Sequence, residues 1–232
     1  MSLHFSSFRS INKITSWTVI WSIIGICTSI ILLILQSYET LQYLLANVIE
    51  PWLLDVEGSL STFISALGFI ATVIMWIWFY KANKNIHAFG AREITSPTMT
   101  LIWWFIPILN LWKPYKVAVE INNASNPRIA LSNGNEWKKL QSPEVIKLWW
   151  ILQILAIIGS TVAAIYWTWS SGFNYLSSLE QPVDLSPSYG TVFYANFAYI
   201  FSNILSIAST IFYIRMVKQV STWQEIKSGR SI

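Results

Sequence analysis

The sequence predicts an all-α, polytopic membrane protein built as a four-helix transmembrane bundle, and three observations support this prediction. Hydrophobic residues make up 54% of the 232-residue chain and charged residues only 11%, against about 25% charged residues in ordinary soluble domains. Four long apolar runs divide the chain into five polar pieces. All 15 lysines and arginines fall in the first, third and fifth of these pieces. We therefore expect residues 1–232 to form a single membrane domain.

The four apolar runs have the length of a membrane-spanning helix. About 20 residues cover about 30 Å of hydrocarbon at a rise of about 1.5 Å per residue. Backbone polar groups in lipid must be satisfied within the segment, so helices are the expected structure. None of the runs contains Asp, Glu, Lys, Arg or His. They lie at about residues 17–35, 60–80, 148–169 and 191–214.

The distribution of charge predicts the orientation in the membrane. The second and fourth polar pieces, residues 36–58 and 170–190, contain six acidic residues and no lysine or arginine. Loops retained in the cytoplasm collect lysine and arginine. We therefore expect both termini to be cytoplasmic. The basic excess is expected to face the headgroups of membrane lipids rather than nucleic acid.

A fifth apolar stretch, residues 101–112, is too short to cross the membrane as a helix. Its twelve residues cover about 18 Å at helical rise. Pro107 at its centre removes a backbone donor and favours a kink. A true crossing, the alternative, would export six of the basic residues and oppose the charge bias. We therefore expect a re-entrant or interfacial segment that enters and leaves on the cytoplasmic side.

The largest soluble portion is the predicted cytoplasmic loop, residues 113–144. Lys116 and Glu120 have the i, i+4 spacing that supports a short surface helix. Pro127 disfavours helix at the residue before it, so this helix should end near Asn126. The loop is either a docking surface for a partner or a solvated connector.

Small and polar residues inside the spans predict how the helices associate. Small residues recur at four-residue spacing, which lets helix backbones approach closely within the bundle or against a second copy of the chain. Asn196, Asn203 and Gln153 are expected to form interhelical hydrogen bonds, with pore lining as the alternative. The small-residue stripes are Ser61, Ser65, Gly68 and Thr72; Ala156, Ser160 and Ala164; and Ser202, Ser206 and Thr210.

The sequence offers no catalytic constellation. The apolar runs contain serines and threonines but no histidine, aspartate or lysine to activate one. His4 and His87 are too few and too far apart for a zinc site. Cys27 is alone and is expected to act as a small buried hydrophobe. We therefore expect no catalytic residue, no metal ligand and no cofactor, and a protein that is not an enzyme.

Two tryptophan-rich strings carry a family resemblance. They are Trp-Ile-Trp-Phe-Tyr-Lys-Ala-Asn-Lys-Asn-Ile-His-Ala-Phe-Gly, residues 76–90, and Trp-Trp-Phe-Ile-Pro-Ile-Leu-Asn-Leu-Trp-Lys-Pro-Tyr, residues 103–115. From about Ser59 to Tyr213 the chain resembles the DUF4328 domain family of bacterial integral membrane proteins. The resemblance implies a bacterial cytoplasmic (inner) membrane and the same four-helix plan. Because the function of the family is unknown, it implies no activity.

The resemblance falls on seven residues that are candidates for a structural or binding role. Asn110 is expected to hydrogen-bond carbonyls that Pro107 leaves unpaired. Asn85 is expected to cap the second span or to link its cytoplasmic end to the Pro107 turn. A binding pocket under the 101–112 segment is the alternative to a purely structural role. The seven residues are Asn85, Gly90, Pro107, Asn110, Trp112, Pro114 and Tyr115.

Three functional hypotheses follow. The first is a non-enzymatic accessory, scaffold or regulatory subunit that associates with another membrane protein or a second copy of itself. The second is a small transporter, channel or lipid-handling protein whose site is lined by the 101–112 segment. The third is an enzyme with its site at the cytoplasmic membrane face. The third would use Asn85, His87, Arg92, Glu93 and Glu120.

Overall fold

The computed structural model describes residues 8–46, 51–131, 134–178 and 189–229, and all regular structure in these ranges is helical. The four long helices are α1, α2, α6 and α7, and a single 3-10 turn, Glu136–Lys139, precedes α6. The α-helices are α1 (Asn12–Ala46), α2 (Pro51–Ala88), α3 (Pro97–Ile102), α4 (Pro107–Asn110), α5 (Lys113–Ser125), α6 (Glu144–Ser178) and α7 (Tyr189–Lys227).

Four helices are long and apolar enough to cross a membrane, which confirms the predicted all-α fold with four spans. Each helix continues beyond its apolar run. The runs end where polar residues begin, but residues such as Lys81 and Lys84 remain compatible with a helix, so α2 continues to Ala88. The candidate spans are Asn12–Leu45, Gly58–Ala88, Glu144–Thr168 and Phe193–Lys227.

Contacts divide the chain into two compact units, and each long helix contributes to both. Unit 1 contains Met1–Ile24, Gly68–Trp150 and Ser209–Ile232; unit 2 contains Gly25–Leu67 and Ile151–Ala208. All 15 basic residues of the sequence belong to unit 1, and unit 2 contains six acidic residues and no lysine, arginine or histidine. The division by contacts thus coincides with the division by charge. The single membrane domain stays a prediction.

The core of unit 1 is aromatic. Trp78 and Phe79 on α2 are fully buried and meet edge-on, with ring centroids 5.2 Å apart. Trp149 on α6 stacks on Phe79 at 6.1 Å, and Tyr213 on α7 lies 5.6 Å from Trp149. Aromatic pairs of this geometry contribute about 0.5–1.5 kcal/mol each beyond the area that they bury. Aromatic contacts among α2, α6 and α7 therefore stabilise unit 1.

The segment expected to be re-entrant or interfacial forms two short helices, α3 and α4, which turn at residues 103–106. With six and four residues, neither helix is long enough to cross a membrane. The residues that flank this segment are in contact. The Thr95 backbone N–H, before α3, donates to Glu120 Oε2 on α5 at 2.9 Å. The two ends of the segment are therefore joined to each other within unit 1.

The helix predicted in the 113–144 loop is present as α5, but it is not a surface helix, because most of its residues, including Glu120, are buried. It begins at Lys113, and its C-terminal cap is Asn126, the residue before Pro127, as the sequence predicted. Residues 132 and 133 of this loop lie outside the described ranges. The Asn123 amide donates to the carbonyls of Trp137 and Leu140, at 3.5 and 3.3 Å. This loop is packed onto α5 at these points.

Helices α6 and α7 approach closely within unit 2. Ser202 Oγ donates to the Ala156 carbonyl at 2.6 Å, so the approach that the small-residue spacing predicted is formed here. A Cβ atom on Gly159 would lie 3.2 Å from Ser202 Cβ. Gly159 is therefore the residue that lets the two backbones meet at this level.

Candidate functional site

Glu39 is an ionisable residue inside a candidate span, contrary to the prediction that it lies in an exported loop. It is on α1 within Asn12–Leu45 and is fully buried. Its Oε2 accepts a 2.9 Å hydrogen bond from the Asn196 amide on α7. The prediction was wrong because the apolar run ends at Leu35 while the helix continues to Ala46. A buried ionisable group in a membrane protein is costly and is commonly functional.

A second polar pair lies three residues from the first on α1 and seven residues from it on α7. The Asn203 amide donates to Gln36 Oε1 at 3.0 Å, again between α7 and α1. The expected interhelical hydrogen bonds of Asn196 and Asn203 are thus confirmed. Gln36 and Glu39 share one face of α1, since residues three apart are neighbours on a helix. The two pairs form a polar ladder between α1 and α7.

This ladder borders a cavity of about 510 Å³ in unit 2. Every lining residue belongs to one of the four candidate spans, and all four spans contribute. No residue of the 101–112 segment is among the lining residues, so this cavity differs from the predicted pocket under that segment. The lining residues are Leu32, Gln36, Gly58, Ser61, Ser65, Ser160, Trp167, Asn196, Tyr199, Ser202 and Asn203.

The four serines that line the cavity share one hydrogen-bonding state. Each donates its hydroxyl proton to a backbone carbonyl. Ser61 bonds to Gly58 at 3.0 Å and Ser65 to Ser61 at 2.8 Å. Ser160 bonds to Ile157 at 3.0 Å, and Ser202 bonds to Ala156. A hydroxyl has one proton and two lone pairs, so these serines keep their oxygen lone pairs for a further partner.

Asn85 is the centre of a separate polar network in unit 1. Its amide nitrogen donates to Gln224 Oε1 and to the Arg9 carbonyl, both at 2.8 Å. Gln224 in turn donates to the Ala82 carbonyl and to Ser125 Oγ, both at 3.0 Å. Asn85 thus links α2 to the N-terminal segment and to α7. The expected link from Asn85 to the Pro107 turn is not formed.

Gly90 ends α2 in the left-handed conformation, with φ +89°. The Gly90 N–H donates to the His87 carbonyl at 3.0 Å, and the Ala91 N–H donates to the Ile86 carbonyl at 3.1 Å. These two bonds form a Schellman motif, which satisfies carbonyls at the helix end. The family residue Gly90 therefore has a structural role that only glycine performs without strain.

The family residues around Pro107 hold the short helices in place. Pro107 begins α4, and Pro114 is buried in the first turn of α5. Among the described residues the Asn110 amide nitrogen does not donate to a carbonyl as expected, and its Oδ1 is buried without a hydrogen-bond partner. Trp112 is the N-terminal cap residue of α5 and is about half exposed, and the Tyr115 hydroxyl is within hydrogen-bonding distance of Ser142 Oγ.

Aromatic contacts attach this segment to α2 and α6. The Trp104 ring lies 5.9 Å from Phe79 and 6.1 Å from Trp150. The Trp150 indole N–H donates to the Leu111 carbonyl at 2.9 Å. Phe105, whose ring lies 4.9 Å from Trp76 on α2, and Ile108 are 66% and 70% exposed. The segment is therefore packed on α2 and α6 and keeps exposed apolar side chains.

The residues of the enzyme hypothesis are engaged in separate contacts. The buried Glu120 carboxylate accepts from Thr95 N–H, and His87 Nε2 lies 3.2 Å from the Thr95 carbonyl. Glu93 is exposed and bonds to Lys138 and to the Asn135 amide. The hydrogen bonds from Lys138 and Asn135 lower the pKa of Glu93 below its ordinary value. Among the described residues no group of three His, Cys, Asp or Glu could hold a metal ion.

Four membrane-length helices with polar residues packed between them define a multi-pass helical membrane protein. A family model described as "Domain of unknown function (DUF4328)" matches residues 52–222, well over half of the chain. The chain therefore belongs to the DUF4328 family, as the two tryptophan-rich strings predicted. No curated protein and no solved structure matches it.

Three important residues escaped the sequence analysis. Glu39 could have been found from Gln36, Glu39 and Tyr43, whose i, i+3, i+7 spacing places them on one helix face. Gln224 follows the last apolar run and looked like a surface residue. Gly159 stands between Ala156 and Ser160 of a recognised stripe, but outside its four-residue register. No sequence signal distinguishes Gln224 from a solvated glutamine.

Proposed function

We propose that this protein is a non-enzymatic membrane protein that holds a small polar or amphiphilic molecule in the cavity of unit 2. The observation that carries the proposal is a cavity of about 510 Å³ to which all four spans contribute polar side chains. Cavities of about 300–1,000 Å³ are typical of small-molecule sites. Among the described residues that line it, none is a histidine, a lysine or a carboxylate that could serve as a base. Binding therefore explains this site better than catalysis does.

The proposal places the protein in a bacterial inner membrane with both termini in the cytoplasm. The segregation of charge between the two units supports this orientation. Both termini and all 15 basic residues belong to unit 1, and cytoplasmic loops collect lysine and arginine. The acidic pieces of unit 2 are then the exported ones.

In this orientation the segment formed by α3 and α4 is re-entrant or interfacial. The hydrogen bond between Thr95 and Glu120 closes the segment at its base. The exposed Phe105 and Ile108 supply apolar side chains that lipid would cover. Lys113 Nζ lies 4.7 Å from the centre of the Trp103 ring, an arrangement suited to headgroup level, where aromatic and basic residues concentrate.

Native mass spectrometry of the full chain, released from gentle detergent, tests the proposed function. A phenylalanine at Ser65 would fill part of the cavity. Ser37→Phe is the matched control, because Ser37 is exposed on α1 and does not line the cavity. We expect a small molecule or lipid to remain bound to the wild type and to Ser37→Phe but to be lost from Ser65→Phe. Identical adducts on all three proteins would refute the proposal.

An accessory or scaffold role is the second candidate, with another membrane protein or a second copy as partner. The observation that favours it is that no residue in the most apolar 18-residue window of α2 is buried within the chain. Gly68 in this helix has no atom within 4 Å of the position that a Cβ would take. A partner helix could approach this open side closely.

Mutation of Gly68 separates the second candidate from the first. Gly68→Leu would block a close approach on the open side of α2 without adding a side chain to the lining of the cavity. For an accessory protein we expect Gly68→Leu to release a stoichiometric partner during purification from native membranes. Recovery of the wild type as a lone protomer would rule this candidate out.

A further inference from the structure

We infer that the cavity of unit 2 selects an organic ammonium ion, which is a cation with N–H donors attached to an apolar group. The inference rests on the proposed function, since it names the ligand class of the same cavity. It is supported by three independent properties of unit 2: its charge, the direction of its hydrogen bonds, and its aromatic lining.

The charge of unit 2 favours a cation. Its sequence holds six acidic residues and no lysine, arginine or histidine. One of the acidic residues, Glu39, bonds to the lining residue Asn196. A cation in the cavity favours the ionised form of the Glu39 carboxyl group, whose field acts through a low-dielectric interior and is weakly screened. An anionic ligand would find no compensating basic group in unit 2.

The direction of the hydrogen bonds also favours a donor ligand. A carboxylate only accepts, so the nitrogen of the Asn196 amide must point to Glu39. The Asn196 oxygen then remains, and it forms no hydrogen bond with the described residues. Asn203 likewise commits its nitrogen to Gln36. Two amide oxygens and the lone pairs of four serines thus border one cavity. This lining is rich in acceptors, and an ammonium group supplies donors.

The remaining lining residues suit the apolar part of such a ligand. Trp167 and Tyr199 present aromatic rings, and Leu32 presents an aliphatic side chain. Aromatic faces attract cations through the ring quadrupole. A bare metal cation would not use these three residues. The cavity volume of about 510 Å³ also exceeds what a lone inorganic ion fills.

Equilibrium binding of three probes of similar shape tests the selectivity. The probes are 2-phenylethylammonium, neutral 2-phenylethanol and anionic phenylacetate, added to the full chain in lipid nanodiscs of phosphatidylcholine. We expect the ammonium to bind roughly tenfold or more tightly than the other two, since only the ammonium gains the charge-assisted hydrogen bonds. Equal affinity for the ammonium and the alcohol would overturn the inference, as would binding of none of the probes.

Two acidic residues provide matched variants. Glu39→Gln removes the charge behind Asn196 but keeps an oxygen that can accept its hydrogen bond. Asp55→Asn removes the same charge from an exposed position on α2 that does not line the cavity. We expect Glu39→Gln to lower the affinity for the ammonium roughly tenfold and Asp55→Asn to leave it nearly unchanged. Equal effects would show that net charge alone acts, and would overturn the inference.

Ser65→Phe separates the failure of this inference from the failure of the proposed function, and it also covers the case in which Glu39→Gln does not fold. Suppose that the wild type binds the ammonium and the alcohol equally and that Ser65→Phe abolishes the binding of each. The cavity then binds ligands without selecting cations. If Ser65→Phe leaves binding of the ammonium intact, the cavity is not the site and both proposals fall. If Ser65→Phe loses ammonium binding that the wild type showed selectively over alcohol binding, the result supports both the proposed function and the inferred ligand class.

An ammonium group can belong to a free amine or to the headgroup of an aminophospholipid. A competition experiment distinguishes these sources. Nanodiscs of phosphatidylcholine are compared with nanodiscs that also contain phosphatidylethanolamine. If the headgroup is the ligand, 2-phenylethylammonium binds more weakly in the second nanodiscs. If a free amine is the ligand, its affinity is the same in both. Either result supports the ammonium class, provided that the alcohol remains the weaker probe.

Discussion

The Asn85 amide nitrogen donates to Gln224 Oε1 over 2.8 Å and joins α2 to a residue 139 positions later in the chain. Asn85 is 3% exposed, and Gln224 is fully buried. Each side chain makes further bonds, Asn85 to the Arg9 backbone and Gln224 to Ala82 and Ser125. A buried network in which each member is satisfied stabilises a unique packing.

Asn85→Ala should destabilise the protein. The substitution removes the partners of Gln224 Oε1 and of the Arg9 carbonyl, and buried polar groups without partners cost about 1–3 kcal/mol each. We expect the free energy of unfolding to fall by about that amount. Denaturant titration in detergent, monitored by tryptophan fluorescence, measures the change. Asn110→Ala is the control, because the buried Asn110 Oδ1 has no partner to lose, and its stability should match the wild type or exceed it.

Gly90→Ala should also lower stability. At φ +89° the left-handed backbone conformation costs an alanine about 1–2 kcal/mol of free energy. Gly68→Ala is the opposite case, since Gly68 is helical and a Cβ there would meet nothing within 4 Å. The greater helix propensity of alanine should stabilise that variant by up to about 1 kcal/mol. Thermal unfolding of the two variants should therefore shift in opposite directions, and a shared direction would contradict this account of Gly90.

The contact between Glu93 and Lys138 should make stability depend on pH. The hydrogen bonds from Lys138 and Asn135 lower the pKa of Glu93 in the folded protein. A lowered carboxyl pKa contributes stability above the unfolded-state value, and that contribution is lost as pH falls through the folded-state value. The wild type should therefore exceed Glu93→Gln in melting temperature at neutral pH, and the difference should vanish in acid. Lys138→Met should give the same pH profile, and a difference that grows in acid would contradict the assignment.

The proposed orientation can be tested with reporters that are active in only one compartment. A periplasm-specific reporter fused after residue 232 should stay inactive, while the same reporter inserted after Pro182 should be active, because the two positions belong to units of opposite charge character. A cytoplasm-specific reporter at the same two sites is the control and should give the opposite pattern. Activity of the periplasmic reporter after residue 232 would refute cytoplasmic termini.

The apolar runs predicted the four spans because a helix in lipid must be apolar over its length. A run of apolar residues of that length can be recognised directly in the sequence. The end of α5 was predicted for a similar reason. Pro127 constrains the backbone of the residue before it, and that residue is Asn126, the cap of α5. Constraints that act within one segment are thus visible in the sequence.

Glu39 and Gln224 could not be placed in this way, because their burial depends on residues far along the chain. Glu39 is buried by a partner 157 positions later, Asn196, and Gln224 by partners on α2 and α5. Glu39 and Gln224 both lie in the part of a helix that continues beyond its apolar run. An assignment based on composition therefore places them in a loop or on the surface. The polar cavity was missed for the same reason, since it needs the faces of four helices to be known together.

The position of Gln224 also has a consequence for biosynthesis. Asn85 and Ser125 are translated 139 and 99 residues before the glutamine that satisfies them. Their polar groups must therefore stay hydrated, or be shielded by the insertion machinery, until the final helix emerges from the ribosome. A nascent chain that halts before Gln224 leaves those groups bare. Asn85 and Ser125 therefore obtain their full set of hydrogen-bond partners only after α7 has been made.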